Sequence, residues 1–215
     1  MKILAIDTAL EACSAAVLDG GRVLAARREP MTRGHQERLA PLVAEAMAEA
    51  GLAFAELDRL GVTIGPGSFT GLRVGLAFAK GLALALEIPC VGVGALEALA
   101  ASAADAPDAV TGAAIDARRG QVYLQAFHGR QVLGPPEVLE HRDACRRLVE
   151  LAGEVPLRLL GSGAMLLTDE LPRAAILSIE VPDPVVVARL AAAAPAPTSL
   201  PRLLYLRAPD ARLPA

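Results

Sequence analysis

A glycine- and proline-rich turn, Gly65-Pro66-Gly67, lies between two apolar runs and is followed directly by Ser68. Glycine adopts positive φ values and proline fixes φ, so this tripeptide ends one regular element and forms a turn. Ser68 then stands where a helix N-cap is expected. The free N–H groups at a helix start attract anions such as phosphate. The residues alone leave two interpretations open, an anion site or a strand-to-helix turn that binds nothing.

Two aspartates, Asp7 and Asp116, lie in apolar runs that are each followed by a turn and a second strand-like run. The opening pattern of the chain therefore recurs after a boundary at residues 106–108, and such a repeat predicts two related α/β domains. This arrangement is typical of the actin-like and sugar-kinase ATPases (the ASKHA superfamily). Active members of that superfamily hold a nucleotide and a metal ion between the two aspartate-bearing turns. The expected division is residues 1–104, residues 105–200 and a tail at residues 201–215.

Both turns differ from working phosphate loops. Residues 7–11 read DTALE, with Ala9 where glycine would let the backbone approach phosphate, and Glu11 adds a negative charge. Residues 116–120 read DARRG and also lack the first glycine. We therefore expect both loops to be degraded and Asp7 to keep a structural role.

Histidine, serine and cysteine offer no other catalytic arrangement in the sequence. His128 and His141 have no carboxylate or thiol at ligand spacing, and His35 is expected to cap the following helix or lie on the surface. Ser68 has no base nearby in the sequence. The cysteines are expected to be reduced thiols, as in cytosolic proteins, and are Cys13, Cys90 and Cys145. We expect no catalytic residue and no metal site.

Hydrophobic periodicity predicts the elements that must position these residues. Strands are expected at residues 2–8, 13–19, 22–28, 60–64, 90–93, 110–116, 121–128, 131–133 and 157–160. Helices are expected at residues 36–50, 68–86, 95–104, 141–151 and 185–193. Glycines inside the second helix each cost about 1 kcal/mol relative to alanine. Gly71, Gly75 and Gly81 therefore indicate that another backbone comes very close, either from the sheet beneath or from a partner helix.

Composition argues against several functional classes. The 215-residue chain has a net charge of −3 and 3% aromatic residues, so it lacks the basic surface and stacking platforms of an autonomous nucleic-acid-binding protein. Asp7 interrupts the first apolar run, and Lys80 and Glu87 interrupt the longest one. Neither a signal peptide nor a membrane span is therefore expected. These features predict a cytoplasmic protein that contacts RNA, if at all, only indirectly.

Four passages resemble the bacterial TsaB (YeaZ) family. They are MKILAIDTALEACSAAVLDG at the N-terminus, IGPGSFTGLRVGLAFAKGLALAL around the glycine turn, AAIDARRGQVYLQAF at residues 113–127 and LLYLR at residues 203–207. The resemblance is strong over residues 1–127 and thin over residues 129–200. It implies the same α/β fold of two ASKHA domains, the second reduced. It also implies a part in forming N6-threonylcarbamoyladenosine (t6A) beside the anticodon of tRNAs that read codons starting with A.

The related catalytic family, TsaD, shares the glycine turn, the small-residue helix and the next strand, and then carries a metal-binding His-x-x-x-His pair. Ala95 and Leu99 occupy those positions here, and neither can ligate a metal. The resemblance therefore implies a non-catalytic subunit that activates a TsaD-like partner. It further implies that a TsaE-like ATPase acts through the complex and that the chain forms a homodimer when alone.

The partner contact is then expected on the helix at residues 36–50 and on the glycine-bearing face of the helix at residues 68–86, unless that face packs only on its own sheet. The expected interface residues are Leu39, Val43, Met47, Gly71, Gly75, Phe78, Ala79 and Leu82. Asp7, Asp116 and Arg118 are the expected contacts of any ATP or ADP at that interface, although Arg118 could equally be a surface arginine paired with an acid. The alternative is an active ATP-dependent ASKHA enzyme, a small-molecule kinase or carbamoyltransferase, in which the two aspartates hold Mg-ATP.

Overall fold

Two β-sheets, one in each half of the chain, form the framework of the structure, a computed structural model that describes residues 1–207. The predicted tail beyond residue 207 lies outside the described residues. The first sheet contains β1 (Lys2–Asp7), β2 (Ala12–Asp19), β3 (Arg22–Pro30), β4 (Arg59–Gly65) and β5 (Cys90–Gly94). The second contains β6 (Val110–Arg118), β7 (Gln121–His128), β8 (Gln131–Val132), β9 (Glu137–Glu140), β10 (Leu157–Leu160) and β11 (Ala175–Ile176). The helices are α1 (His35–Ala50), α2 (Phe69–Leu86), α3 (Ala95–Ser102), α4 (His141–Ala152) and α5 (Pro184–Ala193).

The two sheets repeat one strand order. The first runs β3-β2-β1-β4-β5, and the second runs β11-β10-β6-β7-β8 with β9 also paired to β7. Each sheet therefore has an antiparallel hairpin, β1–β2 or β6–β7, whose first strand pairs in parallel with a later strand, β4 or β10. The two parallel strands added to the second sheet are only four and two residues long. The predicted repeat, with a reduced second half, is confirmed.

Alternate side chains of β1 enter two apolar layers on opposite faces of the first sheet. Leu4 and Ile6 belong to the cluster that α1 and α2 cover. Ile3 and Ala5 belong to the cluster that α5 covers. All four side chains are almost completely buried, so both faces of this sheet are covered by helices.

Helix α5 lies on the first sheet, although the sequence placed residues 185–193 in the second domain. Gly61 on β4 permits the contact, because a Cβ atom there would lie 2.6 Å from the Cβ atom of Ala191. The guanidinium of Arg59 donates hydrogen bonds to three carbonyl groups at the end of the helix, at 2.7–3.2 Å. These bonds satisfy acceptors that a helix end leaves unpaired. Helix α5 therefore packs with the first half of the chain, although the predicted second domain, residues 105–200, included it.

The start of α2 lies very close to the turn that follows β1. The Ser68 Oγ accepts a hydrogen bond from the Gly71 N–H at 3.2 Å, and the Ser68 N–H donates to the Ala9 carbonyl at 2.7 Å. The Thr8 hydroxyl donates to the Gly71 carbonyl at 2.7 Å. A Cβ atom on Gly71 would lie 2.1 Å from the Thr8 carbonyl oxygen, and one on Gly75 would lie 2.3 Å from the Thr8 Oγ1. Gly71 and Gly75 therefore allow the turn after β1, which belongs to the first sheet of the same chain, to pack directly against α2.

The remaining face of α2 is open. Gly81 lies there, and a Cβ atom at this position would meet no atom within 4 Å. By length and composition α2 could cross a membrane, with 33% of its residues buried, and it packs here against β4 and α1. The fold of the described residues therefore gives no reason for a glycine at position 81.

Replacing Gly71 with alanine is expected to lower the free energy of unfolding by about 1–3 kcal/mol, because the new methyl group would overlap the Thr8 carbonyl. The matched control is Gly81→Ala on the same helix. It is expected to raise the free energy of unfolding by up to about 1 kcal/mol, since alanine favours the helix and its methyl group meets nothing. Urea denaturation followed by circular dichroism measures both values. Equal stability of the two variants would contradict the close approach described for α2.

Candidate functional site

A cleft between the two halves of the chain encloses a cavity of about 690 Å³. It lies where active ASKHA proteins hold a nucleotide, between the turns after β1 and β6. Its polar lining includes Glu11, Ser68, Asp116, Arg118, Ser162 and Glu180. The structure thus brings Asp116 and Arg118 to the cleft, as the sequence predicted, but it does not bring Asp7 there.

Asp7 is buried beneath the first turn, with 1% of its surface exposed. Its Oδ1 accepts hydrogen bonds from the Thr63 hydroxyl at 2.6 Å and from the Ala9 N–H at 2.9 Å. Its Oδ2 has no hydrogen-bond partner among the described residues. Burial raises the pKa of this carboxyl, opposed by the two hydrogen bonds and by the nearby His35. Asp7 is therefore placed to hold β4 and the turn together.

The first turn does not fit the phosphates of a magnesium nucleotide. Ala9 is fully buried, and its N–H is already bonded to Asp7. Its carbonyl lies so close to the glycine turn that a Cβ atom on Gly67 would be 2.3 Å from that oxygen. Glu11, which is exposed, adds a carboxylate to the cleft lining. The chain's own backbone and a negative charge therefore occupy the place where phosphate would approach.

The second turn is held by a local carboxylate–arginine contact. The Asp116 Oδ1 accepts a hydrogen bond from the Arg118 N–H at 2.7 Å, and its Oδ2 lies 3.0 Å from the Arg118 Nη1. The Arg118 side chain is 79% exposed, and its backbone has a φ of 64°. The predicted pairing of Arg118 with an acid is therefore observed, and its acid partner is the aspartate of the same turn.

His35 is the residue of the cleft that sequence reasoning placed wrongly. It was expected at a cap or on the surface, but only 8% of it is exposed and it lines the cleft. It is the first residue of α1, and Gly34, with a φ of 91°, turns the chain so that the ring points inward. The neighbouring Gly34 was the signal in the sequence, because a glycine before a helix allows such a turn.

Helix α3 carries the two positions that correspond to the metal-binding histidines of TsaD. Ala95 and Leu99 are both fully buried, in an apolar cluster that also contains Ile115 and Phe127 of the second sheet. Among residues 1–207 there is no group of three or more potential metal ligands. The helix face that would bind metal in TsaD thus joins the two halves of this chain through apolar contacts.

Comparison with known proteins agrees with this architecture. The family model described as TsaD, tRNA N6-adenosine threonylcarbamoyltransferase, matches residues 28–158. The protein named tRNA threonylcarbamoyladenosine biosynthesis protein TsaB from Escherichia coli (strain K12) is 39% identical over 163 residues, which are 72% of this chain and 69% of that protein. The chain belongs to the TsaB family. The alignment with the Haemophilus influenzae TsaB, at 40% identity, spans 58% of this chain and 52% of that protein.

Solved structures show the same fold over nearly the whole length of this TsaB family member. A Pseudomonas aeruginosa protein described as similar to peptidase YeaZ superposes with a TM-score of 0.79 and 29% identity. The superposition covers 96% of this chain and 99% of that structure. The ASKHA-type fold expected from the sequence is therefore confirmed.

Most of the predicted interface residues are buried in the protein's own core and cannot contact a partner. Leu39, Val43, Met47, Gly71, Gly75 and Ala79 are buried, whereas Phe78 and Leu82 are half-buried. The prediction of these six residues was wrong because the glycine-bearing face of α2 meets the turn after β1, and the apolar side of α1 packs on β2 and β3. A charge at Gly75 or Ala79 would therefore disrupt the core rather than an interface.

The exposed sides of α1 and α2 share a patch of mostly small apolar residues. This α1/α2 face consists of Ala40, Pro41, Ala44, Ala48, Ala77, Gly81, Leu84 and Ala85. The charges of α1 lie to one side, where Arg38 bonds Glu29 of β3 and Glu45 at 2.7 Å each. These bonds lower the pKa of both glutamates. The ion pairs therefore lie beside the α1/α2 face, which Glu37 of α1 and Lys80 of α2 border.

The Asp7→Asn variant should be more stable than the wild type at neutral pH, because it keeps the acceptor at Oδ1 without the buried charge. Burial raises the pKa of Asp7 in the folded state, so the wild type loses stability as pH rises from the unfolded value of about 3.9 through the folded pKa. The variant's advantage in Tm should vanish below that range. Thermal unfolding at pH 3–8 measures this difference. Thr63→Val removes a donor to the carboxylate, so its Tm at neutral pH should be lower than that of the wild type. Parallel pH profiles of Tm for all three proteins would contradict a buried, charged Asp7.

Proposed function

We propose that this TsaB family member acts in the formation of N6-threonylcarbamoyladenosine in tRNA, as a non-catalytic subunit that binds and activates a TsaD-like transferase. Its relatives carry the name of that pathway, and a TsaD model matches more than half of the chain. The observation that carries the proposed role is the α1/α2 face, whose residues are mostly small and apolar. A soluble domain that exposes such a continuous apolar surface commonly covers it with a partner.

The cleft supports the non-catalytic part of this proposal. Asp7 is sealed under the first turn, and Ala9 leaves no open backbone for phosphate. Ala95 and Leu99 place methyl and isobutyl groups where the related transferase family binds its metal. An active ATP-dependent enzyme would need at least one of these sites open, so this alternative is not favoured.

The shape of the α1/α2 face supports a helical partner. Ala40, Ala44 and Ala48 recur every fourth residue on α1, and Ala77 and Gly81 do so on α2, so that another helix could approach both closely. The matched residues 28–158 include both helices. A TsaD-like protein would therefore present an equivalent pair, and two such pairs can pack about a pseudo-two-fold axis. The same geometry would support a homodimer when the partner is absent.

Nucleotide binding at the interface stays a prediction. Arg118 is exposed at the mouth of the cleft, and a guanidinium there could contact ADP or ATP if the partner supplied the remaining contacts. Asp116 would accompany it, whereas Asp7 is too deeply buried to do so. On this proposal a TsaE-like ATPase acts through the complex, tRNA is held mainly by the partner, and the assembly works in the cytoplasm.

A charge on the α1/α2 face should break the complex without unfolding the chain. Ala77→Glu is expected to weaken binding of the host's TsaD-like protein by at least tenfold, because a long charged side chain would replace a methyl group and be desolvated between closely packed helices. Light-scattering chromatography of the mixture measures assembly, and circular dichroism checks folding. The matched control is Val149→Glu, because Val149 lies on α4 in the second half of the chain and is 55% exposed. Full assembly of Ala77→Glu would exclude this face as the contact.

Reconstitution tests the function itself. The isolated chain is expected to show neither ATP turnover nor threonylcarbamoyl transfer, and adding it to the TsaD-like protein and the other pathway components should increase modification of tRNA at least tenfold. Mass spectrometry of nucleosides measures the product. ATP turnover by the chain alone, lost in Asp7→Ala, would instead favour the active-enzyme alternative.

A further inference from the structure

An aromatic–arginine cluster lies where α2 begins, next to the α1/α2 face. The Phe69 and Tyr205 side chains are 49% and 50% exposed, and their ring centres lie 6.2 Å apart. The Arg73 guanidinium carbon lies 3.6 Å from the Phe69 ring centre, and its Nε donates to the Tyr205 hydroxyl at 3.4 Å. Every other aromatic side chain is buried or half-buried. The two exposed rings of the chain are therefore gathered around one cation.

Tyr205 reaches this position because the segment around it is anchored on both sides. The Leu204 N–H donates to the Ile64 carbonyl of β4 at 2.9 Å. The Arg207 guanidinium donates to the Ala117 carbonyl at 3.1 Å and also bonds a side chain of β7. These contacts hold the segment to both halves of the molecule. A partner that meets Tyr205 therefore meets a ring that is already ordered, which lowers the entropic cost of binding.

We propose that Phe69, Arg73 and Tyr205 form the energetic centre of the interface with the TsaD-like partner, and that an acidic side chain of the partner pairs with Arg73. The inference rests on the proposed function and extends the interface from the helices to the C-terminal segment. Tyrosine, phenylalanine and arginine are enriched at the centres of protein interfaces. No carboxylate among the described residues pairs with Arg73, so its charge is available to an acidic group.

The position of the cluster identifies a protein as the occupant. Arg73 is one turn before Ala77 on the exposed side of α2, so the cluster is continuous with the α1/α2 face. The guanidinium covers one face of Phe69, which reduces the aromatic surface on which an RNA base could stack. The chain also has a net charge of −3, which disfavours contact with phosphates.

The test is calorimetric titration of the host's TsaD-like protein with the full-length chain and four variants. Tyr205→Ala and Arg73→Ala should each raise Kd about tenfold. Their double variant should raise it by clearly less than the product of the two, because the side chains touch. Tyr205→Phe, which keeps the ring, should stay within about twofold of the wild type. The control is Met165→Ala, a 65% exposed apolar residue of the second half, and all variants should keep the wild-type Tm.

The outcomes separate this inference from the proposed function. If the wild type binds and neither alanine variant changes Kd, the cluster is not the centre of the interface, although the proposed function stands. If the wild type does not bind the TsaD-like protein, both are overturned. If Kd is unchanged but the assembled complex loses affinity for tRNA in Tyr205→Ala, the cluster binds RNA and the inference is wrong.

Discussion

The close approach of α2 to the turn after β1 is the constraint on which the rest of the structure depends. Two glycines of α2 leave room for the Thr8 carbonyl and hydroxyl, and the Thr8 hydroxyl binds the helix backbone in return. This contact fixes the rotation of α2 about its own axis. One side of the helix then closes over Asp7 and Ala9, and the opposite side faces solvent. The closed first turn and the exposed outer side of α2 therefore have one structural cause.

The apolar cluster around α3 joins the two halves of the chain. Leu96 and Leu99 of this helix pack with Ile115 and Phe127 of the second sheet, all of them buried. In the related transferase family the same helix face carries metal ligands, which need polar surroundings and access to substrate. Here Ala95 and Leu99 are buried among apolar side chains instead. Such burial stabilises the fold by roughly 25 cal/mol per Å² of apolar surface removed from water. In this chain the face of α3 that bears Ala95 and Leu99 therefore holds the two halves together.

Local sequence patterns predicted most of the strands and helices, because alternating and helical periodicities report burial directly. They failed where the decisive contact is distant in the chain. The assignment of α5 to the second domain was wrong, because Gly61 leaves room for the helix on the first sheet and Arg59 donates hydrogen bonds to its end. For α2 the periodicity was a poor guide to the free face, because both faces consist of small apolar residues. Glycine indicated a close backbone neighbour but could not say on which side of the helix a partner would bind.

Most charges of α1 lie to one side of the α1/α2 face, in ion pairs with β3. Arg38 bridges Glu29 and Glu45, and Arg27 reaches Glu45 and Glu49, so that these ion pairs fasten α1 to β3 along one edge. Exposed pairs of this kind add little stability individually. Their positions matter more, because they hold these carboxylates and guanidiniums to one side of the alanines of the α1/α2 face. The charged residues that border the face are Glu37 on α1 and Lys80 and Arg73 on α2. Arg73 lies at its end, where, in the proposed complex, a single acidic group can neutralise it.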